Sequence, residues 1–167
     1  MHRTRLIAFL PLLLTLLPGP ALTTENTAID DFYRAYFRLP EKIEKLEEFY
    51  RPDFIHAGRH NAPLTLGRDK FLDRKIRPLR KMIRDGQLVL SGKAYIVRRV
   101  ITDNMANDVG YLYLKLEPPK GEPLEQLQKF SRVFIQEDGQ WKLLTEFDGG
   151  PAPLALLETL EAELVIE

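Results

Sequence analysis

Two histidines, His56 and His60, stand four residues apart where a short apolar run passes into the stretch GRHNAPLTLG. On a helix that spacing would suit a metal. On a strand entering a proline-containing loop the two imidazoles do not share a side, and no Asp, Glu or Cys is patterned around them as a ligand set. No metal and no cofactor is expected. Imidazole titrates near neutral pH, so His56 is a candidate pocket acid or base, and Asp53, three residues upstream, is a carboxylate candidate for the same role. The plain alternative for His56 is a strand histidine whose ring is satisfied or exposed. Arg132 lies between aromatic and branched residues in KFSRVFI. An inward guanidinium cannot lose its charge there and must find a partner. It is either an anchor for an anionic ligand such as a carboxylate, or one half of an internal ion pair with an acid such as Asp30, Asp31 or Asp53. Tyr33, Tyr36, Trp141 and Thr145 complete the candidate ligand-binding set, although such tyrosines also serve as core residues whose hydroxyl finds a partner at the edge.

Arg132 must be positioned by a hairpin. Phe130 to Asp148 reads FSRVFIQEDGQWKLLTEFD, two strand-like runs around Asp138-Gly139, a two-residue turn that needs positive φ at both positions. The turn pairs Glu137 with Gln140, Gln136 with Trp141, Phe134 with Leu143, Arg132 with Thr145 and Phe130 with Phe147. The last four pairs share a face that is apolar and aromatic apart from Gln136 beside the turn, Arg132 and Thr145, so that face is predicted to point inward. Lys129, Ser131, Val133 and Ile135, opposite Lys142, Leu144, Glu146 and Asp148, take the other side.

Upstream, Ile29, Phe32, Tyr33, Tyr36 and Phe37 fall at i, i+3, i+4, i+7 and i+8 behind Thr27, which predicts a capped helix ended by Leu39-Pro40. Pro40 opens a second helix lined by Ile43, Leu46, Phe49 and Tyr50, and Arg51-Pro52 closes it. Asp53 to Ala57 is a strand and Gly58 to Gly67 a loop. A third helix starts at Arg68 with Phe71, Leu72, Ile76, Leu79 and Ile83 toward the core, and Pro78 kinks or splits it. Leu88 to Thr102 and Asp108 to Leu116 then read as strands. Helices followed by antiparallel strands describe one α+β domain with helices on one face of a curved sheet.

The chain has 167 residues and no cysteine. MHRTR, the apolar run Leu6 to Pro18 and the small residues around Gly19 to Thr23 have the layout of a secretory signal peptide over residues 1–23. The apolar run is short of the roughly 20 residues of a membrane span. The expected location is therefore secreted or periplasmic, with no transmembrane segment after cleavage. Losing Arg3 and Arg5 with the leader leaves 22 basic against 24 acidic residues, which gives no global reason to bind nucleic acid. Locally, Arg68 to Arg84 is strongly basic, a solvated face by default or a surface for an anionic lipid or polymer. Residues 153–167 form an acidic tail whose Leu154, Leu157, Leu160 and Leu164 have helical spacing and could dock near that basic helix.

The aromatic-Arg-Pro-Asp junction at Tyr50 to Asp53, the glycine before the third helix and the ending DGQWKLLTEFDGGP resemble the nuclear transport factor 2-like superfamily over about residues 26–151, with SnoaL-like domains the nearer likeness. The resemblance implies a cone-shaped α+β domain, a curved antiparallel sheet packed on three N-terminal helices and enclosing a pocket, commonly dimeric through the sheet. Its catalytic members use general acid-base chemistry in an apolar pocket, but fold does not decide function. The isomerase base position falls at or near Gly58, and inward positions of the last strand that often carry histidine read Thr145 and Phe147. Half-covered Tyr111 and Tyr113 favour a second buried surface on the sheet. The resulting expectation is a ligand- or partner-binding homodimer, with an isomerase, cyclase or hydrolase, or a purely structural dimerisation module, as the other outcomes.

Overall fold

The computed structural model describes residues 25–38, 43–58 and 64–167. The leader, the Leu39-Pro40 break and His60 lie outside them. Helix α1 (Glu25–Phe37) buries Ile29, Phe32, Tyr33 and Phe37 along one side, as the apolar spacing requires. Helix α2 (Ile43–Glu48) is followed by β1 (Tyr50–Ala57), which starts three residues before the predicted Asp53 and contains Pro52. The proline is accommodated because the pairing of β1 slips between Tyr50 and Ile55. Inside the predicted loop, β2 (Thr65–Leu66) pairs with β1.

The basic helix is divided into α3 (Arg68–Phe71), a π turn (Leu72–Ile76) and α4 (Arg77–Arg84). Pro78 sits in the first turn of α4, where its missing N–H costs least. The wider winding of the π turn brings Phe71 and Ile76, five residues apart, onto one buried side.

Strands β3 (Val89–Ile101), β4 (Met105–Glu117), β5 (Leu124–Glu137) and β6 (Gln140–Ala152) form an antiparallel run. With β1, β2 and β7 (Leu164–Ile166) they make a seven-stranded curved sheet in the order β2-β1-β6-β5-β4-β3-β7. The expected sheet was antiparallel throughout; β1 and β6 are in fact parallel. The tail also differs from its helical spacing. Only Leu154–Glu158 winds, as a 3-10 turn, and Leu164–Ile166 extends the sheet along the β3 edge with Ile166 buried. Covering an open edge and burying an isoleucine outweighed the weak propensity of a short amphipathic helix.

Three strand slips decide what faces the interior. Asp138 and Gly139 take positive φ, and the pairs Glu137–Gln140, Gln136–Trp141 and Phe134–Leu143 form as the turn dictates. Beyond them Val133 faces Thr145 and Arg132 faces Glu146, so Leu144 is the extra residue and the predicted Arg132–Thr145 and Phe130–Phe147 pairs do not form. A one-residue slip exchanges the faces. Glu146 turns inward and Phe147 is left 49% exposed. A second slip falls at Gly149, where a Cβ would meet Lys129 Cβ at 2.8 Å. In β3 a slip between Ile96 and Arg98 turns Arg99 inward. The core between helices and sheet is aromatic, with Phe32 packed edge-on against Tyr33, Phe49, Tyr50 and Phe134.

Candidate functional site

A cavity of about 240 Å³ lies between the sheet and the π turn. Its sides differ in chemistry. Leu90 of β3 and Leu112, Leu114 and Leu116 of β4 make an aliphatic wall, because alternate residues of paired strands share a face. Beside this wall on the same sheet face, β5 contributes Gln126, Gln128 and Arg132, β6 contributes Glu146 and Asp148, and β1 contributes His56. Phe71, Lys75, Ile76 and Leu79 form the roof, and the exposed Lys75 and Lys129 stand at the opening.

Arg132 is 1% exposed. Its Nε donates to Glu146 Oε2 at 3.1 Å, and its guanidinium carbon lies 4.6 to 5.1 Å from the ring centres of Phe130, Tyr33 and Phe32, with Tyr36 at 5.7 Å. Burial pulls its pKa down, but the Glu146 carboxylate and the surrounding tyrosines outweigh burial, so the cation is held more firmly than usual. None of the three acids offered as its partner reaches it. Asp30 binds Arg99 at 2.7 Å, Asp31 binds Arg34 at 3.1 Å and Asp53 binds Arg51 at 2.7 Å. Among the described residues Nη1 of Arg132 and the hydroxyl of Tyr50 are buried without a partner. Of the two, Arg132 lines the cavity, where an acceptor on a ligand could satisfy its donor.

His56 is buried, rests against Phe71 at 5.0 Å between ring centres, and faces Glu146 across the parallel pair. Burial lowers its pKa, and Lys75 and Arg132 act in the same direction, against Glu146 and Asp148, which favour the proton. The imidazole is therefore neutral near pH 7 and able to accept a proton. Burial first, and then the Glu146 carboxylate, push the Tyr36 hydroxyl up to about 12, so it stays a donor.

The other sequence candidates lie elsewhere. Asp53 is an exposed carboxylate, 62% accessible, held below its usual range by hydrogen bonds from Arg51, and it does not line the cavity. Tyr33 lies beneath Arg132 with its hydroxyl committed to Asp108 Oδ2 at 2.9 Å, within a buried network in which Arg99 bridges Asp108 and Asp30. Trp141 forms part of a separate cavity near the hairpin tip. Thr145 stands opposite Val133, on the sheet face turned away from Glu146. The structure thus brings together His56, Arg132 and Tyr36, and adds Glu146, Asp148, Lys75, Gln126 and Gln128. Glu146 and Asp148 escape regular alternation because of the Leu144 bulge. The visible signal is Leu143-Leu144, two successive apolar residues in an otherwise alternating strand.

No group of three or more His, Cys, Asp or Glu side chains among the described residues could hold a metal ion, and no helix among them is long and apolar enough to cross a membrane. No family model matches the chain, and no curated protein matches its sequence. Solved structures do. A nuclear transport factor 2-like protein with a cystatin-like fold from Novosphingobium aromaticivorans superposes with a TM-score of 0.60 at 13% identity, over 81% of this chain and 88% of its own. A ketosteroid isomerase-like protein from Erwinia carotovora gives 0.58 at 13% identity, covering 77% and 94%. A protein from Xanthomonas campestris, named as a calcium/calmodulin-dependent protein kinase II association domain, gives 0.56 at 18% identity, covering 83% and 93%.

Proposed function

We propose that this chain, which has the nuclear transport factor 2-like fold, is an exported, homodimeric protein whose cavity binds a small, partly apolar ligand with an acceptor group placed on Arg132. The observation that carries this is a fully buried guanidinium with one nitrogen unpartnered, lining a cavity that is aliphatic on one side and hydrogen-bonding on the other. Burying such a group is costly unless its donors are used, and the Glu146 contact uses only one of the five. The composition of the leader supports export. The exposed apolar sheet face and the likeness to an association domain support self-assembly.

Native mass spectrometry of the protein purified from its own cells tests the reading. The expected result is a dimer with a small adduct that disappears both in Arg132→Met and in Leu79→Trp, which fills the cavity from its roof. An adduct-free protein, or an adduct kept by both variants, would overturn it.

General acid-base catalysis is the second reading, and a specific observation favours it. A neutral, buried His56 stands beside two inward carboxylates of the neighbouring strand in a cavity with an apolar wall, the setting in which a base can take a proton while Arg132 and the Tyr36 hydroxyl stabilise a developing oxyanion. If the retained ligand has an enolisable carbonyl, the protein in D2O is expected to exchange its α-hydrogen, and His56→Gln is expected to stop the exchange while still binding the ligand. Binding without exchange would leave the protein a carrier.

A further inference from the structure

A second cavity, about 280 Å³, lies on the far side of the aromatic core, where α1, the end of α2 and the hairpin tip meet. Among the described residues it is lined by Ala28, Asp31, Glu48, Phe49, Gly139, Gln140 and Trp141, none of them basic. We propose that this cavity is a binding site for a small organic cation that carries a hydroxyl or carbonyl, with Glu48 supplying the counter-charge, Phe49 and Trp141 the aromatic surface, and the Trp141 indole N–H the hydrogen bond.

Three independent features support this assignment. Both titratable side chains in the lining are carboxylates, and Asp31 is shared with Arg34 at 3.1 Å, which leaves the exposed Glu48 as the main charge toward an entering ligand. Phe49 and Trp141 line the cavity, and aromatic rings carry the negative quadrupole faces that attract ammonium groups. Trp141 is only 4% exposed, and its indole N–H has no partner among the described residues. A buried indole normally finds an acceptor, so a ligand oxygen in this cavity would complete it. The site shares no residue with the cavity around Arg132, so its occupation is independent of the ligand proposed there.

Trp141 is the chain's one tryptophan, so intrinsic fluorescence reports this site alone. Choline is the probe, and its uncharged carbon isostere 3,3-dimethylbutan-1-ol is the control, titrated into the full-length mature protein at constant ionic strength. The expected result is a saturable change in emission with choline and none with the isostere. Glu48→Gln, an exposed substitution, is expected to weaken choline binding about tenfold, equivalent to about 1.4 kcal/mol, while His56→Gln leaves it unchanged. Equal responses to choline and its isostere, an effect of choline unaltered by Glu48→Gln, or no saturable response would each overturn the proposal.

Discussion

Arg132 is the largest of the fully buried side chains, and what surrounds it accounts for its cost. Its charge is opposed by Glu146, whose side chain is 15% exposed, and its faces are covered by aromatic rings, yet one nitrogen stays unpaired. Removing one member of such a pair leaves the other charge buried. Arg132→Met is therefore expected to lower the free energy of unfolding in urea by about 3 kcal/mol, and adding Glu146→Gln to recover a large part of it. Purely additive losses in the double variant would show that the pair is not coupled. His56 carries the pH dependence of the same cavity. Its folded pKa lies below the ordinary 6.5, chiefly through burial, so between the two values the unfolded chain holds the proton and the native protein does not. Stability from this residue is complete above the unfolded value and is lost as pH falls through it toward the folded one. Glu146, Asp148, Lys75 and Arg132 all face the ring, so the comparison is made within one background. The difference in urea midpoint between about pH 5 and about pH 7.5 is expected to shrink in His56→Gln, and an unchanged difference would mean that another group titrates.

At the level of elements, strand slips place the chemistry. The Leu144 bulge brings Glu146 opposite Arg132, and the slip in β3 brings Arg99 to Asp108 and Asp30, tying α1 to the sheet. The short strand β7 shows how much one alternation decides. Ile166 is 2% exposed against Ala94 of β3, whereas Val165 is 46% exposed on the other side. Ile166→Ala is expected to cost about 2 to 4 kcal/mol in thermal or urea unfolding, and Val165→Ala less than about 1 kcal/mol. Similar small losses for both would mean that the tail does not hold the β3 edge in solution. The π turn works in the same way. It sets Phe71 and Ile76 on one side of the roof and leaves Lys75 at the opening.

For the whole molecule, the sheet has one face against the helices and one face turned out. On the outer face Val109, Ser131 and Phe147 lie in one row across three strands, with Val100 and Met105 nearby, and Val100, Met105, Val109 and Phe147 are 43% to 49% accessible. Apolar surface gathered in this way fits a self-complementary interface. Sedimentation equilibrium of the mature protein is expected to give a dimer, and Val109→Asp combined with Phe147→Asp a monomer that keeps its far-UV circular dichroism. A wild-type monomer at micromolar concentration would exclude this interface.

Much of this architecture follows from local signals that need no third dimension. The helical stripe of α1, the Asp138-Gly139 turn, the strand runs, the division at Pro78 and the inward Arg132 each rest on propensity, backbone stereochemistry or side-chain period within a few residues. Their sum, helices before a run of strands, was enough to indicate the fold. What tertiary structure decided was facing and partnership. A bulge is stabilised by what its neighbours bury and bond, so the sequence between Phe130 and Asp148 could not say that Glu146 faces Arg132 or that Phe147 faces out. The acid that pairs with Arg132 lies on the adjacent strand and not on the elements that carry Asp30, Asp31 and Asp53, and of the leucine stripe of the tail Leu164 lies in an edge strand rather than a helix. Those choices depend on contacts between residues far apart in the chain, which compete at the level of a few kcal/mol and which no local pattern records.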